Sequence, residues 1–388
     1  MKRCFRLLLT VVFVLALAAP CMGWLVSSMT GTRNGKNPGL LPLTGFPELE
    51  VSTALETLQL YNRQAEKFFN QHFPGRQWLV GMNIGVKKVF FPDDVGPLAM
   101  VGRDGWLFFP AEGIPDAQLG LEWFTDEELH QMQKVLERRR DWLAAQGIEF
   151  LFVVAPNKGT IYPEHLPKWL KPAKTTRLDQ FLNHMRNHST VTLLDLRPVL
   201  RQAATRDALY YQADTHWNLM GGLTAAQGIA AALEDRFPNL KPIGRDDFEI
   251  RRRPGSGGDL ANVAKRPSWP DNNIYQVRPK AHLPGLSFQS TATEGLNYTN
   301  YESAATPDPG RVTTVNSRQT TRVLFFGDSF QVGLRPFLGY YFGRVDYFLQ
   351  DTIDTDAVCR VKPALVICEM VERRLGGGNF DPRREHLE

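Results

Sequence analysis

The sequence predicts an α/β fold organised around a central, mostly parallel sheet, and three observations carry that expectation. The first is a set of short apolar runs, Phe150 to Ala155, Val191 to Asp195, Val323 to Phe326, Val345 to Leu349 and Leu365 to Cys368. They have the length and the unbroken hydrophobicity of strands buried on both faces. The second is that helical stretches near 175 to 187 and 218 to 236 alternate with these runs, as βαβ units require. The third is composition. With 43% hydrophobic, 22% charged and 11% aromatic residues, the 388-residue chain can bury a sizeable core, which excludes a disordered, collagen-like or polytopic membrane protein. A net charge of +4, from 45 Lys and Arg against 41 Asp and Glu, is too small on such a surface for a nucleic-acid footprint.

The elements follow in chain order. Lys2, Arg3 and Arg6 precede the apolar run Leu7 to Ala19, so residues 1–26 read as a signal peptide or signal anchor. Cleavage after an A-x-A site and retention as an N-in, C-out anchor both stay open, because no charge appears between Leu7 and Arg33. Residues 27–47, rich in Gly, Pro, Ser and Thr, form a linker, and a single domain is expected over 48–388. Glu48 to Phe73 has helical periodicity. Val101 to Phe109 reads as a hairpin turning at Asp104-Gly105. Thr125 with Glu128 is a capping box for a helix reaching Gln146, and Gly147 ends it. Residues 239–321 break the alternation and are expected as a loop-rich insertion near the active edge. The four cysteines, 4, 21, 359 and 368, form no C-x-x-C pair, so neither a zinc site nor a disulfide framework is suggested, although Cys359 and Cys368 could pair in an oxidising compartment.

Two segments carry candidate chemistry. In Arg322 to Phe330 an apolar strand runs straight into Gly327-Asp328-Ser329, which would put a serine hydroxyl at the carboxyl edge of a parallel sheet, where such folds bind ligands. The amides of Ser329 and Phe330 are the expected oxyanion donors. The second segment, Tyr211 to Asn218, places Asp214 and His216 two residues apart just before a helix. A serine becomes a nucleophile when a neutral imidazole takes its proton, and a carboxylate on the other nitrogen fixes the tautomer. Each segment also has a plainer reading: Ser329 or Asp214 as a helix cap, and His216 as a buried polar residue.

With these motifs the chain resembles the alginate O-acetyltransferase group of the SGNH-hydrolase-like superfamily. The resemblance rests on Phe69-Asn70-Gln71-His72-Phe73 with Arg76, Val101 to Phe108, Val154 to Lys158, Asp214-Thr215-His216-Trp217, Gly327 to Phe330 and Glu369 to Arg373. It implies a three-layer sandwich, a triad of Asp214, His216 and Ser329, and an acetyl-Ser intermediate through which acetyl passes to a bacterial exopolysaccharide. It implies no metal or diffusible cofactor. As partners it implies the polysaccharide acceptor, a membrane-bound O-acyltransferase as acetyl supplier, and other exopolysaccharide assembly proteins, with a periplasmic location. Asn157 and Lys158, at the end of the Phe150 to Ala155 run, are candidates for binding an acyl oxygen or an acidic sugar, and a plain surface turn is the equal alternative there. Trp269, Tyr298 and Tyr301 are candidates for stacking on sugar rings. Glu372 and Arg373 look like a structural ion pair, and Gly258-Asp259-Leu260 is assigned no role beyond shaping the pocket. Two rival functions remain at this stage: a carbohydrate O-acetylesterase with the same triad, and a noncatalytic polysaccharide-binding or assembly subunit.

Overall fold

The computed structural model describes residues 98–110, 114–290, 297–298, 312–385 and 387. The N-terminal signal, the linker and the Glu48 to Phe73 helix expected from the sequence lie outside the described residues.

A small hairpin, β1 (Met100–Val101) and β2 (Leu107–Phe108), opens the described chain and turns through Arg103–Gly105. After a short helix α1 (Ile114–Gln118), helix α2 (Asp126–Ala144) starts at the expected capping box. There the Glu128 amide donates to Thr125 Oγ1 and the Thr125 amide to Glu128. Strand β3 (Glu149–Ala155), helix α3 (Lys158–Ile161), helix α4 (Arg177–His188) and strand β4 (Leu193–Asp195) follow, then helices α5 (Arg197–Ala204) and α6 (Leu219–Ala232).

The segment expected as a loop-rich insertion contains more regular structure than that. Strands β5 (Phe248–Ser256) and β6 (Pro270–Pro279) pair as a long antiparallel ribbon, with helix α7 (Asp259–Val263) at its turn. Strands β7 (Ser287–Ser290), β8 (Asn297–Tyr298) and β9 (Val312–Val315) extend the main sheet antiparallel. Its Gly, Pro, Ser and Thr content hid strands in which polar residues face the solvent side or pair within the sheet. Strand β10 (Arg322–Gly327), helix α8 (Gln331–Leu338), strand β11 (Arg344–Leu349), helix α9 (Thr355–Val361) and strand β12 (Leu365–Val371) complete the fold.

The main sheet has eight strands in the order β4-β3-β12-β10-β11-β9-β7-β8. The first five are mutually parallel. Alternate residues of the parallel strands feed separate cores. Leu151, Val153, Val323, Phe325 and Ile367 pack under α5, α6 and α8, while Phe150, Phe152, Leu324, Phe326 and Val366 pack under α2, α4 and α9. This is an α/β three-layer sandwich, and burial on both faces explains why these strands read as continuous apolar runs. Cys359 is exposed and Cys368 is buried in β12, neither in a disulfide, and burial pushes the Cys368 thiol up to about 12.

One contact sets the spacing of α6 and α8. A Cβ on Gly222 of α6 would lie 2.0 Å from the carbonyl oxygen of Gly333 in α8, and one on Gly333 would lie 2.5 Å from Trp217 Nε1. The helices therefore cross backbone to backbone, and Trp217 Nε1 ties them by donating to the Phe330 carbonyl at 2.9 Å. Gly222→Ala is expected to destabilise the protein by about 1–3 kcal/mol through overpacking, read by denaturant unfolding, and to lower activity by spreading the residues that precede each helix. Unchanged stability would show that the crossing has slack.

Candidate active site

All five parallel strands point their carboxyl ends to one edge, and the candidate residues gather there. Ser329 follows β10 by two residues. Its turn is held by Asp328, whose carboxylate accepts from the Phe330 amide at 3.0 Å and from the Val371 amide of neighbouring β12 at 2.9 Å. The Phe330 amide is thus spent on Asp328, which corrects the expectation that it joins Ser329 in an oxyanion hole.

Asp214 and His216 sit on a loop pinched at its base. Tyr210 and Trp217 form an antiparallel bridge, and the Tyr211 amide donates to the His216 carbonyl. The helix cap is Asn218, whose Oδ1 accepts from the Met220 and Gly221 amides, so the Asp214 carboxylate is not spent on capping α6. Ser329 Oγ lies 2.6 Å from His216 Nε2, and His216 Nδ1 lies 2.6 Å from Asp214 Oδ1. Asp214 Oδ1 also accepts from the His216 amide at 2.9 Å, and Asp214 Oδ2 accepts from the Asp259 amide at 2.8 Å. The side chains of Asp214 and Ser329 therefore do not cap the helices that follow them.

The electrostatics suit a serine–histidine pair. Burial opposes ionisation of Asp214, but the hydrogen bond and charge of His216 and the backbone donors outweigh it and hold the carboxyl at about 2. Burial likewise opposes protonation of His216, yet Asp214, and Asp259 beyond it, raise the imidazole above its ordinary value. The serine and both triad partners border a cleft of about 310 Å³ whose walls include Tyr211, Gly257, Gly258 and Ile274.

The remaining sequence candidates fall in varied places. Lys158 is buried and its ammonium is taken up by the protein itself: Nζ donates to the carbonyls of Tyr211, Gln212 and Asp214 at 3.1, 3.0 and 2.7 Å, over the rings of Trp106 and Phe108. It props the loop that carries Asp214 and His216 from behind, and burial pulls its ammonium down to about 7. Asn157 is also buried, with its amide donating to Glu372 and its Oδ1 3.4 Å from the Arg373 guanidinium. Glu372 further accepts from Thr160 at 2.7 Å. Arg373 lies over the rings of Phe330 and Phe109, close to the serine turn. Trp269 is half-buried against a small apolar cluster with Leu107, Ala213 and Leu260, and its indole donates to the Gly105 carbonyl, so it braces these loops. Tyr298 is in β8, four strands from β10, which is about 19 Å at ordinary strand spacing. Tyr301 lies outside the described residues.

Asp214, His216 and Asp259 bring potential ligand atoms within 4.8 Å of one another. Both His216 nitrogens already face Asp214 and Ser329 in this arrangement, which is a proton relay geometry.

Comparison with known proteins agrees with this architecture. The model of the family described as the SGNH hydrolase-like domain of acetyltransferase AlgX matches residues 99–344, well over half of the chain and including all three relay residues. The chain belongs to this family. Within the AlgX SGNH-like family, it is 26% identical over 352 residues to a protein of Pseudomonas syringae pv. tomato named as a probable alginate O-acetylase AlgJ, covering 86% of this chain and 84% of that one. A Pseudomonas putida protein of the same name is 30% identical over 172 residues, 44% of this chain and 43% of its own. Among solved structures, Bacillus cereus PatB1 with a sulfonyl adduct superposes with a TM-score of 0.54 at 17% identity, over 73% of this chain and 96% of that one, a likeness of fold. Family and relatives together make this chain an enzyme of the O-acyltransferase type with an SGNH hydrolase-like fold.

Proposed function

We propose that this O-acyltransferase moves acetyl groups onto hydroxyls of a bacterial exopolysaccharide through an acetyl ester on Ser329. The observation that carries the reading is the continuous relay Ser329 Oγ, His216 Nε2, His216 Nδ1, Asp214 Oδ1, with 2.6 Å at each side-chain contact. Ser329 Oγ attacks the acetyl carbonyl of a donor while His216 takes its proton. The donor's leaving oxygen departs with that proton. An acceptor hydroxyl then gives its proton to His216 and attacks the acetyl-Ser carbonyl, and Ser329 leaves and recovers the proton. The Ser329 amide is the backbone donor assigned to the oxyanion, and Asp214 stabilises the imidazolium formed in each half.

The polymer reading draws on the relatives named as probable alginate O-acetylases. The basic start and apolar run of residues 1–26 support a catalytic domain outside the cytoplasmic membrane, tethered or released there. Among the described residues no helix is long and apolar enough to cross a membrane. Since acetyl-CoA chemistry is cytoplasmic, that placement calls for a membrane-bound acyltransferase to deliver acetyl across.

Transfer rather than hydrolysis is the distinguishing test. Water at roughly 55 M competes for the acetyl-Ser ester unless a bound hydroxyl reaches an effective molarity of about 10⁵ M or more. Incubating the full chain with a small activated acetyl ester and native polymer is expected to consume ester faster than without polymer and to leave acetyl on the polymer. Acetyl released almost wholly as acetate at saturating polymer would assign the triad to a carbohydrate esterase instead.

A further inference from the structure

The segment Gly257-Gly258-Asp259 returns from the ribbon and lies directly on the catalytic loop. Gly258 has φ +124, and a Cβ there would meet the Ala213 carbonyl oxygen at 2.3 Å and Asp214 Cβ at 3.0 Å. This conformation and this closeness both demand glycine. The docking is then completed by hydrogen bonds in both directions. The Asp259 amide donates to Asp214 Oδ2, the Ala261 amide donates to the Ala213 carbonyl at 3.1 Å, the Thr215 amide donates to Asp259 Oδ1 at 2.7 Å, and the Thr215 hydroxyl donates to Asp259 Oδ2 at 2.5 Å. Asp259 Oδ2 ends 3.6 Å from His216 Nδ1, and the Thr215 hydroxyl lies 3.3 Å from the same nitrogen.

From this geometry we infer that Asp259 is a positioning residue of the relay: its carboxylate holds Thr215 beneath the imidazole and supplies a second negative charge beside His216, while its amide fixes the outer oxygen of Asp214. The inference rests on the triad reading above. It gives the Gly-Asp pair at 258 and 259 a role inside the chemistry, and it follows from contacts across more than forty residues of sequence.

The groups facing His216 define what a charge change at Asp259 would do. Asp214 lies on the same loop, Asp259 reaches in from α7, and Arg373 approaches from the turn after β12 with the opposite sign. Lys158, on α3, touches the loop through the Asp214 carbonyl, and Asp271 of β6 accepts from the Ala213 amide at 3.0 Å. Both carboxylates thus favour the imidazolium, and Arg373 opposes it. Asp259 itself is raised by burial and by the Asp214 charge, while its Thr215 donors favour the ionised form.

The test uses the full chain, with 4-nitrophenyl acetate as acyl donor and, separately, NMR titration of the His216 imidazole, which needs no turnover. Asp259→Asn keeps shape and an acceptor for Thr215 but removes the charge. It is expected to lower the His216 midpoint and move the acid limb of kcat/KM to lower pH. Thr215→Val keeps the charge but cuts its link, and is expected to lower kcat about tenfold with KM within about twofold and the pH midpoint near that of the parent. Asp259→Ala should combine both effects, and Asp259→Glu should restore the midpoint in part. A His216 midpoint unmoved in Asp259→Asn and Asp259→Ala, whatever their melting temperatures, overturns the inference. If the parent chain gives no acetyl on Ser329 while the NMR midpoint still falls in Asp259→Asn, the positioning role stands and it is the acyl-transfer reading that fails.

Discussion

Ser329→Ala is expected to lower acetyl transfer by roughly 10⁴-fold or more while leaving the fold intact. Ser329 is the one half-exposed residue of an otherwise buried turn and its side-chain contact is His216, so its loss removes the nucleophile without opening the core. The turn itself is held by the Asp328 carboxylate bonds to Phe330 and Val371, which alanine does not touch. Because nucleophile and base act as a unit, adding His216→Ala to Ser329→Ala should cost little further rate, far less than the product of the single losses. Initial rates with an activated acetyl ester, together with thermal unfolding of each variant, measure this. A Ser329→Ala variant that keeps a tenth of the activity would remove the serine from the mechanism.

Asp214→Asn should cost nearly as much, on the order of 10⁴-fold in kcat, by the tautomer effect known for serine triads. As a carboxylate, Asp214 accepts from Nδ1 and leaves Nε2 bare to take the serine proton. An asparagine can present its NH₂ to Nδ1 and so move the imidazole proton to Nε2, where it blocks the serine. The sign of the pH dependence follows from the same contacts. His216 must be neutral to act as base, and its protonated form is favoured above the ordinary value, so activity should rise with pH through a midpoint above about 6.5. Asp214, held at about 2, stays ionised across that range and contributes no limb of its own. Residual activity in Asp214→Asn should show the limb moved to lower pH. An unchanged midpoint with the rate intact would mean that Asp214 does not face the working imidazole.

How much of this was legible in the sequence depends on the range of the contact involved. Strands β3, β10 and β12 were readable because burial on both faces forces an unbroken apolar run, and the start of α2 because a capping box is a contact between residues three apart. The triad was readable as two local motifs joined by a family resemblance. Its actual closeness depends on the Gly222–Gly333 crossing, which no local pattern announces. Strands β5 and β6 were missed because they form a ribbon whose outward faces carry Arg and Asn, and β9 because its buried positions include the polar Thr313 and Thr314, so neither leaves an apolar run. Lys158 shows a different failure. A lysine after a strand end reads as exposed, and only the fold reveals three carbonyls converging on its ammonium above two aromatic rings. Asp259 was noticed as a motif but left without a role, since its partners lie on a loop far away in sequence.

The central claim is that Ser329 carries the acetyl group between donor and polymer, and intact-protein and peptide mass spectrometry after a brief reaction with an activated acetyl ester test it most directly. One added acetyl is expected, mapped to the peptide containing Ser329, absent from Ser329→Ala and discharged when acceptor polymer is added. Acetyl transfer to polymer proceeding at full rate with no acetyl ever found on Ser329, or with the same adduct formed in Ser329→Ala, would contradict it.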